Sequence, residues 1–278
     1  MEPAMETAAD PITPRIDFAA ALGGLFDLAG KTVYLPGGYG GIGEAAAWAL
    51  AQRGAKVAIS GRDGGRAEQL AAALRGAGHQ AFGLAMDAHS VAAIRAGVDA
   101  VAAQFGGIDI LMNCVGIQRE QTLLEVTEEA YDEVVEVNLK AAMFLAQAVA
   151  KKQVDGGRGG KQVHLLSVRA RLGMRGRGYS AYCSSKGGLV MMIRQHASEL
   201  APHGITVNGI APTVVRTEMA RHWLENPVTR KQVLERIPLG RVADPADVAG
   251  AAVFFCAPAS DFVTGQVLYL DGGITASQ

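Results

Sequence analysis

The chain has 278 residues, 49% of them hydrophobic, enough for one substantial core and tight for two. A formal net charge of -1 gives no footing for nucleic acid or an anionic membrane surface as a partner. No apolar run reaches the roughly 18 residues of a membrane span, and Cys114, Cys183 and Cys256 are too scattered for a disulfide framework or a metal cluster, so a reducing cytoplasm is the expected location.

Residues 1–24 are rich in Ala, Pro, Thr and acids and precede any periodic pattern. They lack the positive start and continuous apolar stretch of a signal peptide, and are expected to form a disordered tail without an assigned role. From about residue 30, short apolar runs alternate with longer amphipathic ones. The first strand is expected over 31–35, followed by glycines and a helix over 44–53. A strand over 56–60 precedes a helix over 65–75, and a strand over 81–86 precedes a helix capped by Ser90 and running to about Phe105. The fourth strand covers 108–113. A long helix covers 127–150, its start at Thr127-Glu128-Glu129 placing acids at the positive end of the helix dipole. A strand over 162–167, a helix over 179–200 stopped by Pro202 and Gly204, and strands over 205–210 and 266–270 complete the series. Strands apolar throughout, each followed by a helix, imply a single doubly wound α/β domain over 25–278 with a seven-stranded parallel sheet covered on both faces. Its ligands are expected beyond the carboxyl ends of the strands. A glycine-rich loop at 156–161 and an insertion of short helical pieces at 216–239 stand outside the pattern; the second lies where a substrate lid would lie.

Between the first strand and first helix runs Pro36-Gly37-Gly38-Tyr39-Gly40-Gly41-Ile42-Gly43. Glycines there let the backbone turn sharply and let a pyrophosphate approach the free N–H groups of the helix start. The second strand ends Ser60-Gly61-Arg62-Asp63, where a dinucleotide fold meets the adenosine ribose. A carboxylate would accept from a free 2′-hydroxyl and an arginine would pair with a 2′-phosphate, so Arg62 favours NADP. NAD stays open, because Asp63 could replace the missing acid and no basic residue stands just before Gly41.

Tyr182 and Lys186 are spaced i, i+4 on one helix face, where an ammonium is expected to stabilise a phenolate and lower the tyrosine pKa. Ser167 at the end of the fifth strand and Asn138 in the long helix add polar groups on neighbouring elements. With these residues in this order the chain resembles the classical short-chain dehydrogenase/reductase family over about residues 26–274. The family's Thr-Gly-x-x-x-Gly-Ile-Gly matches Pro36 to Gly43, its Asn-Asn-Ala-Gly matches Asn113 to Gly116, its Pro-Gly segment matches Pro212-Thr213, and Asn138, Ser167, Tyr182 and Lys186 match its tetrad. Pro36, Cys114 and Thr213 depart from the pattern, and the 15 positions from Ser167 to Tyr182 exceed the usual spacing.

The resemblance implies a Rossmann-type domain and hydride transfer between NADP(H), or NAD(H), and a carbonyl or secondary alcohol. Tyr182 would exchange the proton, Lys186 would hold the nicotinamide ribose, Ser167 would bond the substrate oxygen and Asn138 would anchor a relay water. Cofactor contacts would come from Gly37, Tyr39, Gly40, Gly41, Ile42, Gly43 and Arg62, from Asp87 and Ala88 at the adenine, and from Asn113, Gly116, Pro212, Val215 and Thr217. Substrate contacts are expected from Gln118, Arg119, Ser167 and Arg169. These, with Arg171, Arg175 and Arg177, suit a carboxylate or phosphate. The stretches 26–31, 116–119 and 267–276 resemble the gluconate 5-dehydrogenase and deoxygluconate dehydrogenase branch, implying a sugar acid such as gluconate or 5-ketogluconate. A 3-oxoacyl-carrier-protein reductase and a non-catalytic nucleotide-binding regulator are the alternatives. The wholly small and apolar stretch from Val248 to Cys256, with the last strand, points to assembly, and the resemblance implies a homotetramer that uses this end. The histidines are read as structural or solvent-facing, and no cluster has metal-ligand spacing.

Overall fold

The computed structural model describes residues 17–277. Of the expected tail, residues 1–16 lie outside the described residues, and a short helix that composition did not signal, α1 (Phe18–Gly23), follows them.

The domain is built from β1 (Thr32–Pro36), α2 (Gly41–Ala51), β2 (Lys56–Gly61), α3 (Gly64–Gly76), β3 (Ala81–Ala85), α4 (Val91–Phe105) and β4 (Ile110–Asn113) in its first half. The second half adds α5 (Glu128–Val135), α6 (Ala141–Gly156), β5 (Gly160–Leu165), α7 (Ser180–Leu200), β6 (Ile205–Pro212), α8 (Arg221–Glu225), α9 (Pro227–Leu234), α10 (Pro245–Cys256) and β7 (Val267–Leu270). The strands form one parallel sheet ordered β3-β2-β1-β4-β5-β6-β7. Its alternating side chains feed two layers. Val33 and Leu35 pack with α2, α3 and α10, while Tyr34 and Leu111 pack with α4 and α6. Central strands buried on both faces are what the unbroken apolar runs require. The order reverses between β1 and β4, which opens a crevice beyond their carboxyl ends.

Three expectations change. The helix expected over 127–150 runs on to Gly156 and contains a π-helical stretch, Glu136–Lys140, that turns Asn138 inward. β5 begins and ends two residues early, so Ser167 stands beyond the strand as the N-cap of a short 3₁₀ turn, Val168–Ala170. The apolar breadth of α10 is consumed within the chain: Val248, Ala249, Ala251, Ala252, Val253, Phe255 and Cys256 are all buried, against α2 and the sheet. That helix therefore leaves no wide free face for assembly.

Under α6 and α7 the sheet carries a buried polar pair. Asn113 Nδ2 lies 3.3 Å from His164 Nδ1, and Asn113 Oδ1 accepts from the Val115 N–H at 3.0 Å. His164 is fully buried and its Nε2 has no partner among the described residues. Burial first, then the charges of His196 and Lys186, push its pKa down to about 3. The folded value lies below the ordinary one, so the contribution to stability is complete above about pH 6.5 and is lost as pH falls toward 3, where the unfolded chain takes up a proton the fold refuses. Urea midpoints measured at about pH 7 and about pH 5 should therefore differ less in His164→Gln than in the parent; an identical drop in both would contradict this.

Candidate active site

The crevice at the carboxyl ends of the strands is a cavity of about 470 Å³, within the range typical of small-molecule sites. One wall is the glycine loop. Gly37 N donates to Ser60 O at 2.7 Å, and a Cβ on Gly41 would stand 2.8 Å from the Thr217 methyl, so the loop and the start of the 216–239 insertion touch. Gly37, Tyr39, Gly40, Gly41, Ile42 and Gly43 line the cavity, and the start of α2 has no side-chain cap, leaving its first N–H groups for an anion. This donor set fits a dinucleotide pyrophosphate.

Farther along that wall, the Tyr39 ring lies over Gly61, and a Cβ at 61 would overlap it. No acidic side chain can stand there while Tyr39 does. Asp63 does not line the cavity: its Oδ1 caps α3 by accepting from Arg66 N at 3.0 Å, while its own N–H donates to Tyr39 Oη at 3.2 Å. The Arg66 guanidinium stacks 4.8 Å above the Tyr39 ring. Arg62 and Arg66 both line the cavity. Arg66 was missed in the sequence, although it stands one helical turn from Arg62.

Ala88, Gly116, Pro212, Val215 and Thr217 also line the cavity; Asp87 and Asn113 do not. The Asp87 carboxylate turns back onto His89, accepting from its backbone N–H at 3.0 Å and meeting Nδ1 at 2.9 Å, and these bonds hold its pKa below the ordinary value. Asn113 stands behind the wall, spent on Val115 and His164.

Ser167, Tyr182 and Lys186 meet at the centre. Lys186 is buried, its Nζ donating to Leu165 O at 2.9 Å and lying 5.7 Å from the Tyr182 ring centre. Burial pulls Lys186 down to about 8. The Tyr182 phenol moves up, not down as the i, i+4 pairing led one to expect: burial outweighs the lowering effects of the Ser167 hydrogen bond and of Arg169. Asn138 is buried outside the cavity lining. Its Oδ1 accepts from Ile117 N at 2.8 Å, while Nδ2 donates to Ile117 O at 2.9 Å and to Ser185 Oγ at 3.1 Å. Both amide hydrogens are used, so this side chain clamps backbone and cannot also hold a relay water with them.

The expected arginine cluster dissolves into separate contacts. Arg119 forms a bidentate pair with Glu133 at 2.7 and 2.8 Å, does not line the cavity, and is not free to grip a substrate; nothing in local spacing reveals a partner on α5. Arg171 stacks on Tyr269, Arg175 is exposed, and Arg177 pairs with Glu120. Arg169 alone of this group lines the cavity. One of its terminal nitrogens donates to Leu172 O at 3.2 Å and Gly173 O at 2.6 Å, which leaves the rest of the fork without a bond among the described residues. Gln118 lines the cavity too. From the insertion at 216–239, Thr217, Glu218, Met219, Ala220 and Trp223 line the cavity, whereas no residue of α9 does. Trp223 packs 6.0 Å from Tyr179, and its buried Nε1 has no partner among the described residues. No group of three or more potential metal ligands, and no helix long and apolar enough to cross a membrane, is found among the described residues.

A family model described as enoyl-(acyl carrier protein) reductase matches residues 38–275. The chain is similar to the 5-keto-D-gluconate 5-reductase of Escherichia coli K12, 36% identical over 250 residues covering 90% of this chain and 97% of the relative. It is 38% identical to the D-threitol dehydrogenase of Mycolicibacterium smegmatis over 251 residues, 90% of this chain and 95% of the relative. Among solved structures it resembles a gluconate 5-dehydrogenase from Burkholderia cenocepacia J2315 in complex with NADP and tartrate, with a TM-score of 0.88, 33% identity and coverage of 91% of this chain and 98% of that one. The chain therefore belongs to the short-chain dehydrogenase/reductase family and is an oxidoreductase acting between alcohol and ketone groups.

Proposed function

We propose that this enzyme uses NADP(H) to interconvert a sugar acid and its keto form, gluconate and 5-ketogluconate being the leading pair. The reading of the substrate rests on one observation above the rest: Arg169 brings a half-free guanidinium into the cavity two residues from Ser167. A carboxylate there would take the open side of the fork. The E. coli and B. cenocepacia relatives carry names of this substrate class. An acyl thioester is the competing substrate, supported by the description of the matching family model and by Val168, Met174 and Met219 in the cavity wall.

NADP is favoured because Tyr39 excludes an acid at position 61 and Arg62 and Arg66 offer cations instead. When bound, the nicotinamide supplies or receives the hydride. The chain's own residues do the rest. Ser167 would bond the reacting oxygen, and Tyr182, a neutral phenol near pH 7, would give it a proton during reduction. Oxidation needs the phenolate, so it is favoured by rising pH. Lys186 would hold the ribose while it keeps its charge, below about pH 8. A relay water would be held by backbone of the π-helical turn, since the Asn138 amide is committed. Free cysteines fit a reducing compartment, and assembly would use the β7 edge, where Leu268 is exposed.

Tyr182→Phe should leave NADPH binding nearly unchanged in a titration while turnover falls by about 10²–10⁴-fold. Activity near that of the parent would remove Tyr182 from the chemistry, and nucleotide binding without turnover by the parent on any carbonyl would favour a regulator. Substrate class is tested by steady-state rates with 5-ketogluconate, neutral ketoses and acyl thioesters. Sugar acids should give the highest kcat/KM, and Arg169→Lys should raise KM for them with kcat little changed, because an ammonium cannot replace the fork. Equal rates on a sugar acid and its neutral counterpart would sink the carboxylate assignment.

A further inference from the structure

Three aromatic rings follow one another along the wall of the cavity. The Tyr179 ring lies 6.2 Å from that of Tyr182, and Trp223 of α8 lies 6.0 Å from Tyr179. Both spacings are those of rings in contact. All three residues line the cavity, so the row leads from the catalytic phenol to an indole supplied by the 216–239 insertion. The buried Trp223 Nε1 has no partner among the described residues, so ring contacts and not a hydrogen bond hold the indole.

Those contacts are braced from behind. The Arg177 guanidinium stands 5.6 Å over the Trp223 ring and donates to Glu120 Oε1 at 3.1 Å, while Tyr179 Oη donates to Glu120 Oε2 at 3.3 Å. The backbones of the same two segments are joined, Gln121 N donating to Gly178 O at 3.0 Å. They approach so closely that a Cβ on Gly178 would overlap the Gln121 carbonyl group. At its start the insertion meets the glycine loop, where Thr217 touches Gly41. An indole backed in this way cannot step aside without breaking contacts in each of these segments.

We propose that Trp223 is a specificity-determining residue that bounds the substrate end of the cavity, so that the site takes a short keto acid and turns away a carbonyl compound carrying a long arm. The inference rests on the sugar-acid reading and deepens it. An extended chain advances roughly 1.2 Å per bond. The four bonds from the reacting carbon of 5-ketogluconate to its carboxyl carbon therefore fit within the two ring spacings from Tyr182 to Trp223. The pantetheine arm of an acyl thioester is several times longer and meets the indole. A clash of this kind raises discrimination without any added contact to the preferred substrate.

The test is kcat/KM for the parent, Trp223→Phe and Trp223→Ala with 5-ketogluconate, acetoacetyl-coenzyme A and ethyl acetoacetate. The last carries the same reacting carbonyl as the thioester without its arm, and an NADPH titration checks that each variant is folded. In the parent 5-ketogluconate should be the best substrate and acetoacetyl-coenzyme A the poorest. Trp223→Ala should raise kcat/KM for acetoacetyl-coenzyme A about tenfold relative to ethyl acetoacetate, and Trp223→Phe should raise it less. Both variants should lose efficiency with 5-ketogluconate through a higher KM. If Trp223→Ala does not bind NADPH, the same ratio in Trp223→Phe decides. A ratio of thioester to ester unchanged from the parent, with the parent preferring 5-ketogluconate, would overturn the role of Trp223 and leave the sugar-acid reading standing. A parent that reduces acetoacetyl-coenzyme A better than 5-ketogluconate would overturn both.

Discussion

The side chain of Asn138 is the constraint on which the site depends. A primary amide can satisfy a peptide's N–H and C=O together, and Asn138 does so at Ile117, just past β4, while also donating to Ser185 on α7. Those three bonds join the π-helical stretch, the floor of the cavity and the helix that carries Tyr182 and Lys186. Asn138 and Ser185 are buried, where an unpaired amide costs about 1–3 kcal/mol, so the three segments keep their relative positions or lose several bonds at once. The π-helical turn is the local deformation that brings the amide to this place.

Burial also decides the electrostatics. Lys186 and Tyr182 share a face as their spacing requires, yet the phenol is raised and the ammonium lowered, because desolvation acts on each more strongly than either acts on the other across 5.7 Å. The same cavity sorts its arginines. Arg119 and Arg177 are neutralised by Glu133 and Glu120, Arg171 lies on an aromatic ring, and Arg169 is left to face the reacting groups. Most of these guanidinium groups brace loops, and Arg169 is the one of the group that lines the cavity.

Much of this was legible in the chain. Unbroken apolar runs alternating with amphipathic ones gave the parallel sheet, the Ser90 cap was found where its spacing put it, and Ser167, Tyr182 and Lys186 converge as their motif implies. What escaped were contacts between segments distant in sequence. Nothing near Arg119 reveals that Glu133 will face it, and nothing near Gly61 reveals that Tyr39 will lie across it. The π-helical stretch is silent too, since one inserted residue leaves an apolar pattern almost unchanged. The surplus apolar surface of α10 was read as an intermolecular face because a sequence does not say which helix will cover it; α2 does.

The role given to Asn138 is best tested by hydrogen exchange at single-residue resolution in the parent and in Asn138→Leu, which keeps the volume and removes the amide. The account predicts that the Ile117 amide loses its protection, that exchange quickens through residues 117–121 and around Tyr182–Lys186, and that amides of β1, β2 and β3 are unaffected. An Ile117 amide that exchanges as slowly in the variant as in the parent would contradict it.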